Sequence, residues 1–325
     1  MKIPRNLLSL VLGACCAAAA LAQSPSDYPN RAIRIVVPLA AGGNVDIVAR
    51  AVAEQISRSL GQAVLVENRP GASSLVGTQL VAKSAPDGHT LLAIANTFAT
   101  VPSLVLNPGY DPLKDFAGIT LTCFIPQVLI VNAAFPAQSV KDLIALAGAQ
   151  PGKISYATSG NGSTGHMAAE LFSRQAGVKM LHIPYKGNSQ ALVDVIGGQV
   201  TMMFDQVSTS APQIRGGKVR ALAVTSLKRS PLLPEVPTAD EAGLPGFEDI
   251  TFNGLVAPAG TAREILVRVQ QAVARAVSDA ELYKRFLERG IELKASGSPE
   301  EFDGHIKAEF EKKGSLVRDA GMKPE

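Results

Sequence analysis

"KISYATSGNGSTGHMAAELFSRQ", residues 153–175, decides the fold. A β-rich apolar run, "KISYAT", enters a turn with Gly160, Gly162 and Gly165 spaced G-x-G-x-x-G, and the turn opens into "HMAAELFSRQ", which has helical period. Strand, tight turn and helix in this order are the unit of an α/β protein. The glycine spacing also matches the dinucleotide fingerprint, which requires an acidic residue about 20 positions later to hold the ribose hydroxyls. "MLHIPYKG" stands there instead, offering His182, Tyr185 and Lys186 but no carboxylate. A lysine at that place could meet a 2′-phosphate, so the dinucleotide reading keeps a reduced form. The competing reading is an anion-binding turn, where glycines let the backbone approach a ligand and the first free N–H groups of the helix face negative charge.

Outward from this stretch the same alternation recurs. "IRIVV", "AVLVE", "TLLAIA", "ITLTCF", "QVLIVN", "MLHIP", "VTMMF", "VRALAVT" and "FNGLVAP" read as strands, and Val45, Val48, Val52, Ile56 and Leu60 fall on one helical face. Segments near 139–149, 189–196 and 264–277 behave alike. Alternation of this kind predicts an α/β fold with two domains, each a mostly parallel sheet flanked by helices. No Ser/Gly-rich or Pro-rich linker interrupts it, so the domains are expected to be joined by crossover strands, with "CFIPQVLIVN" and "DITFNGLVAPAG" as the candidates. Residues 23–130 and 252–325 then form one discontinuous domain and 131–251 the other.

The chain begins "MKIPRNLLSLVLGACCAAAALAQ", with Lys2 and Arg5 before an uncharged run and Ala-Leu-Ala before Gln23. That pattern predicts a cleaved signal peptide over 1–22 and export to the periplasm; "LGAC" offers lipoprotein anchoring at Cys15 as a second processing route. Cleavage would leave Cys123 as the one thiol, and in "TLTCFIP" it reads as core filling. The whole chain has 31 basic and 28 acidic residues, a net charge of +3. Without the two basic residues of the leader the balance is 29 against 28, and no polybasic stretch is present, which excludes nucleic acid as an expected partner.

Two further strand-to-helix turns resemble the first in composition. In "IRIVVPLAAGGNVDIVAR", Gly42 and Gly43 precede the helix that carries Asp46; in "NRPGASSLVG", Gly71, Ser73 and Ser74 do so. Three such turns converge at the carboxyl ends of strands, where α/β sheets bind ligands. Asp46 falls in a first helical turn, which the macrodipole favours whether or not it serves a ligand. Asp205 ends the strand "VTMMFD" and either receives a ligand group or caps the helix that follows. No G-x-S-x-G elbow surrounds Ser159 or Ser163, His166 stands where a P-loop needs lysine, and the four histidines lack metal-ligand spacing. Neither catalytic chemistry, a cofactor nor a metal is expected. His166, beside the glycine turn, is the histidine best placed to reach a ligand.

"YPNRAIRIVVPLAAGGNVDIVAR", "VENRPGASSLVG", "APDGHTLL", "SYATSGNGSTGHMAAELF", "HIPYKGNSQALVDVIGGQVTMMFD", "GKVRALAVTS" and "PEVPTADEAGLPGFE" together resemble the substrate-binding proteins of tripartite tricarboxylate transporters, the Bug family. The resemblance runs from Tyr28 to the C-terminus. It implies a periplasmic binding protein of two α/β domains that close over a small organic acid, held by backbone N–H groups, hydroxyls and water. On that resemblance Gly42 and Gly43, then Ser159, Ser163 and Thr164, and Asp205 face the cleft, with Thr97 a further candidate. It also implies a monomer that serves permease subunits or a membrane sensor. Two departures stand out: Asn44 and Val45 occupy the Gly and Thr places of the family's G-G-G-T-D turn, and "GASSLVG" carries fewer glycines than the family tends to have. A dinucleotide-dependent oxidoreductase is the alternative function.

Overall fold

The computed structural model describes residues 27–322 and Pro324. The expected signal peptide, and with it Cys15, lies outside the described residues. Strand β1 (Ile33–Val37) pairs in parallel with β2 (Val64–Asn68) and β3 (Thr90–Ala95). Helix α1 (Asn44–Leu60) makes the first crossover, burying Val45, Val48, Val52, Ile56 and Leu60 on one face. Each such aliphatic side chain is worth about 1.5–3 kcal/mol, and Gly61, in the left-handed region at φ 70°, ends the helix. Helix α2 (Leu75–Ala82) leads into β3, and the short α3 (Thr97–Thr100) follows it.

The runs "ITLTCF" and "QVLIVN", separate in the sequence reading, are one strand, β4 (Phe116–Asn132), of 17 residues. Its first part, Phe116–Pro126, runs antiparallel to β9 (Ile250–Pro258), which in turn pairs antiparallel with β3. Its second part, Gln127–Asn132, lies between β7 (Met202–Gln206) and β8 (Val219–Val224), antiparallel to both. The change of partners falls at Pro126, which has no N–H to offer a ladder and is tolerated where pairing switches. Between these strands come α4 (Val140–Ala149), β5 (Ser155–Thr158), α5 (Thr164–Ala176), β6 (Leu181–Pro184) and α6 (Asn188–Ile196), and α7 (Val207–Arg215) follows β7 directly. The path of the sheet is β2-β1-β3-β9-β4-β7-β5-β6. Its outer strands are parallel, as the alternation predicts, while the middle is antiparallel because β4 and β9 run as crossovers between two α/β units.

The C-terminal region is helical on a polar background, as expected: α8 (Arg263–Val277), α9 (Ala280–Leu287) and α10 (Pro299–Asp319), with the two-residue β10 (Glu292–Leu293) pairing to β4. Phe302 and Ile306 of α10 enter the core around Val36, Phe98 and Phe252 of the first unit, whereas Leu316 and Val317 enter the core around Tyr156, Phe172 and Phe204 of the second. The last turns of α10 thus reach the second core, although residues 252–325 are expected to belong to the first unit. Between those two contacts Lys313, 1% exposed, is paired with Asp249, equally buried. Among the described residues no helix is long and apolar enough to cross a membrane.

Candidate functional site

The turn before α1 is tied down by its own acid. The Gly42 N–H donates to Asp46 Oδ2 at 2.9 Å, while Asp46 Oδ1 accepts from Arg50 Nε at 3.0 Å and Asn68 Nδ2 at 2.9 Å. Burial raises the Asp46 carboxyl, but the Arg50, Gly42 and Asn68 hydrogen bonds outweigh it and leave the group below the usual carboxylate range. Helix α1 then starts after Gly43 with no side-chain cap. Its first N–H groups, from Asn44, Val45 and Asp46, have no partner within the helix, and these residues line a cavity of about 410 Å³.

Strand β9 contributes Thr251 and Asn253 to this cavity, 6% and 2% exposed. The Thr251 hydroxyl and both amide atoms of Asn253 have no hydrogen-bond partner, although the weakly polar Cys123 thiol lies beside Asn253. Each unsatisfied buried group costs about 1–3 kcal/mol, so the chamber calls for water or a polar ligand there. Asn96, its neighbour, is spent: it donates to the Ile250 carbonyl at 3.0 Å and accepts from the Phe252 N–H at 2.8 Å, fixing β9. Across the cavity Asn44 Nδ2 donates to Gln206 Oε1 at 2.5 Å, joining the two units at one point.

A second chamber, of about 630 Å³, shares Leu39 and Thr97 with the first and reaches Ser159, Ser163, His166 and Glu170. The glycine turn forms part of its wall, and the glycines have conformational roles. Gly162 sits at φ 70°, where a Cβ would also strike Leu104. At Gly165 a Cβ would lie 2.6 Å from the Phe204 carbonyl, so this glycine lets α5 pack against β7. The N–H groups of the turn are largely used internally: Gly160 donates to Thr158 Oγ1 at 3.1 Å, Gly162 to His166 Nδ1 at 3.0 Å, and His166 to Ser163 Oγ at 3.4 Å. A dinucleotide pyrophosphate needs those groups free, and the fingerprint reading loses its physical support.

His166 is buried and its ring stacks on His182 with centroids 4.0 Å apart. Burial and the neighbouring His182 push its pKa down to about 3, and burial also lowers that of His182. The third turn holds Ala72, Ser73 and Ser74 at φ 44°, 53° and 83°, a conformation that suits glycine. This is the stretch with fewer glycines than the family tends to have; Ser73 lines the second chamber, and the Ser74 hydroxyl is buried without a partner.

Gly42, Gly43, Asp46, Thr97 and Thr164 are brought together in the first chamber, and Thr97, Ser159 and Ser163 in the second. Asp205 lies on neither wall. Neither role read from the sequence is seen: α7 starts after Gln206 with no side-chain cap, and the Asp205 oxygens accept instead from the side chains Asn188 Nδ2 at 2.9 Å, Thr209 Oγ1 at 2.5 Å and Ser210 Oγ at 2.7 Å. Burial nevertheless raises its carboxyl above the ordinary range. It holds the start of α7, where Gln206 and Thr209 do reach the cavity. Sequence reasoning missed Asn44, Thr251, Asn253, Gln206 and Glu170 as wall residues. A signal existed for two of them: Thr251 and Asn253 are polar at period two within "ITFNGLVAP", a strand otherwise buried and largely apolar. Among the described residues no lysine or arginine lines either chamber. Among the described residues no cluster of three metal-ligating side chains occurs. The Cys123 thiol is core filling, its pKa raised to about 12 by burial.

Comparison with known proteins agrees with this architecture. The profile of the tripartite tricarboxylate transporter family receptors matches residues 48–322, and the protein belongs to that family. It is 35% identical to protein BugT of Bordetella pertussis over 97% of this chain and 98% of that one. The structure of the periplasmic binding protein BugD is 38% identical, with a TM-score of 0.75 over 92% of this chain and all (100%) of the other. The R. palustris protein Rpa4515, solved with adipate, is 35% identical with a TM-score of 0.78, covering 92% of this chain and 100% of its own.

Proposed function

We propose that the protein is an exported receptor that captures a small organic acid in the two-chamber cavity and hands it to a membrane transporter, without performing chemistry on it. The observation that carries this reading is the uncapped start of α1, facing a cavity where Thr251 and Asn253 wait unpaired. A carboxylate there accepts from the N–H groups of Asn44 and Val45 and from the Asn253 amide, directly or through water. Charge-assisted bonds of this kind are worth about 1.5–3 kcal/mol each, enough for affinity without an arginine. Family membership and a neighbour solved with adipate support the ligand class.

In this reading residues 1–22 are a leader removed on export, the mature chain is a monomer, and the units divide near 130 and 252, with the end of α10 bridging them. Thr97, Ser159, Ser163 and Thr164 contact the ligand beyond its carboxylate. Calorimetric titration of the mature chain with mono- and dicarboxylates, benzoate, glutamate and NAD is the test. Binding of at least one acid, weakened tenfold or more by Asn253→Ala, is expected; a response to NAD alone overturns the receptor reading.

A further inference from the structure

The second chamber is chemically unlike the first. Its wall on α5 and β6 carries His166, His182 and Glu170, and Leu104 and Val105 give it an apolar side. His166 Nδ1 accepts the Gly162 N–H at 3.0 Å, which leaves the ring proton on Nε2, 3.7 Å from Glu170 Oε1. That same oxygen accepts the Tyr156 hydroxyl, while among the described residues Glu170 Oε2 takes no hydrogen bond. Both imidazoles titrate below their ordinary range, so near neutral pH they bring no positive charge. Arg174, one turn further along α5, is engaged with Asp319 at 2.7 Å and lines neither chamber. Among the described residues the wall therefore presents one carboxylate and no cationic side chain.

We propose that Glu170 makes the second chamber a selector for the far end of the ligand, admitting an uncharged hydrogen-bond donor such as a hydroxyl and rejecting a second carboxylate. This rests on the receptor reading and narrows it: the ligand is a hydroxylated monocarboxylate, anchored by its acid at α1 and threaded past Leu39 and Thr97. A terminal hydroxyl donates to Glu170 Oε2. A terminal carboxylate meets Glu170 at close range in a partly desolvated site, where like charges repel strongly. Adipate, the dicarboxylate with which the R. palustris relative was solved, is then a poor ligand for this chain.

Calorimetric titration with matched pairs tests it: 4-hydroxybutyrate against succinate, 6-hydroxyhexanoate against adipate, and 4-hydroxybenzoate against terephthalate. In the best-fitting pair the hydroxy acid is expected to bind at least tenfold more tightly. Glu170→Gln, checked for an unchanged melting profile, is expected to strengthen the dicarboxylate about tenfold and so to close the gap to the hydroxy acid. Should Glu170→Gln unfold the chain, Glu170→Asp, which retains the charge and retracts it, is expected to keep the preference for the hydroxy acid. A dicarboxylate that binds as tightly as its hydroxy partner, or a gap that Glu170→Gln leaves untouched, overturns the selector while the receptor reading stands. Absence of binding by every acid removes both.

Discussion

Helices α1 and α5 begin alike in sequence, each after a strand and a glycine-bearing turn, and they end in opposite condition. The α5 turn closes on itself: Ser163 caps the helix, and His166 takes the Gly162 N–H. The α1 turn is fixed from below by Asp46, and its helix start is left uncapped toward the cavity. The α5 helix spends the first-turn N–H of His166 on its cap, whereas α1 spends none of its own on a side-chain cap. An anion-binding turn is thus recognised less by its glycines than by where the neighbouring side chains send their hydrogen bonds.

The hardest blow to this contrast comes from removing the support under α1. Asp46→Ala strips hydrogen bonds from Gly42, Arg50 and Asn68 and is expected to lower stability by about 2–3 kcal/mol, measured by urea denaturation; a loss near zero would show that the turn holds itself. On the sealed side, His166 stays neutral in the folded state down to about pH 3, while in the unfolded chain it charges near 6.5. The unfolded state therefore binds more protons between these values, and stability present above pH 6.5 is lost on acidification. From pH 7 to pH 5 the loss is expected to be about 1–2 kcal/mol, and His166→Gln should flatten that slope.

Smaller effects sharpen the comparison. Asn44→Pro deletes one N–H at a position where proline fits a helix, and should weaken binding of the best acid about tenfold, roughly 1.4 kcal/mol. Asn44→Ala, which keeps the N–H and loses only the contact to Gln206, should change affinity less than threefold. Ser163→Ala is expected to cost about 1 kcal/mol of stability as a lost cap. In the third turn the sign reverses: Ser74→Gly relieves a left-handed φ of 83° and removes an unpaired hydroxyl, so the melting temperature should rise by an amount equivalent to about 0.5–1 kcal/mol.

Much of this molecule was legible beforehand because its signals are local. Strand runs, the apolar face of α1 and the ordered family motifs depend on residues close together in sequence. The cavity wall was harder to read where it is made by pairing. Asn253 matters because β9 lies between β3 and β4, and Gln206 because the start of α7 faces α1; no local pattern carries that. Asp205 was ambiguous for the same reason: whether a strand-end carboxylate serves a ligand or a helix depends on Asn188, Thr209 and Ser210, which arrive from two different helices.

Helix α10 restricts how the two units can move. At 21 residues it is a rod about 32 Å long, fastened to the first unit by Phe302 and Ile306, to the second by Leu316 and Val317, and at Asp249 by Lys313. A swing of one unit away from the other, about an axis across the rod, would pull one of these fastenings out of its core. Rotation about the rod would do the same, because these side chains project from it radially. A change in how the two cores sit relative to each other therefore has to bend α10 or unseat one of its ends.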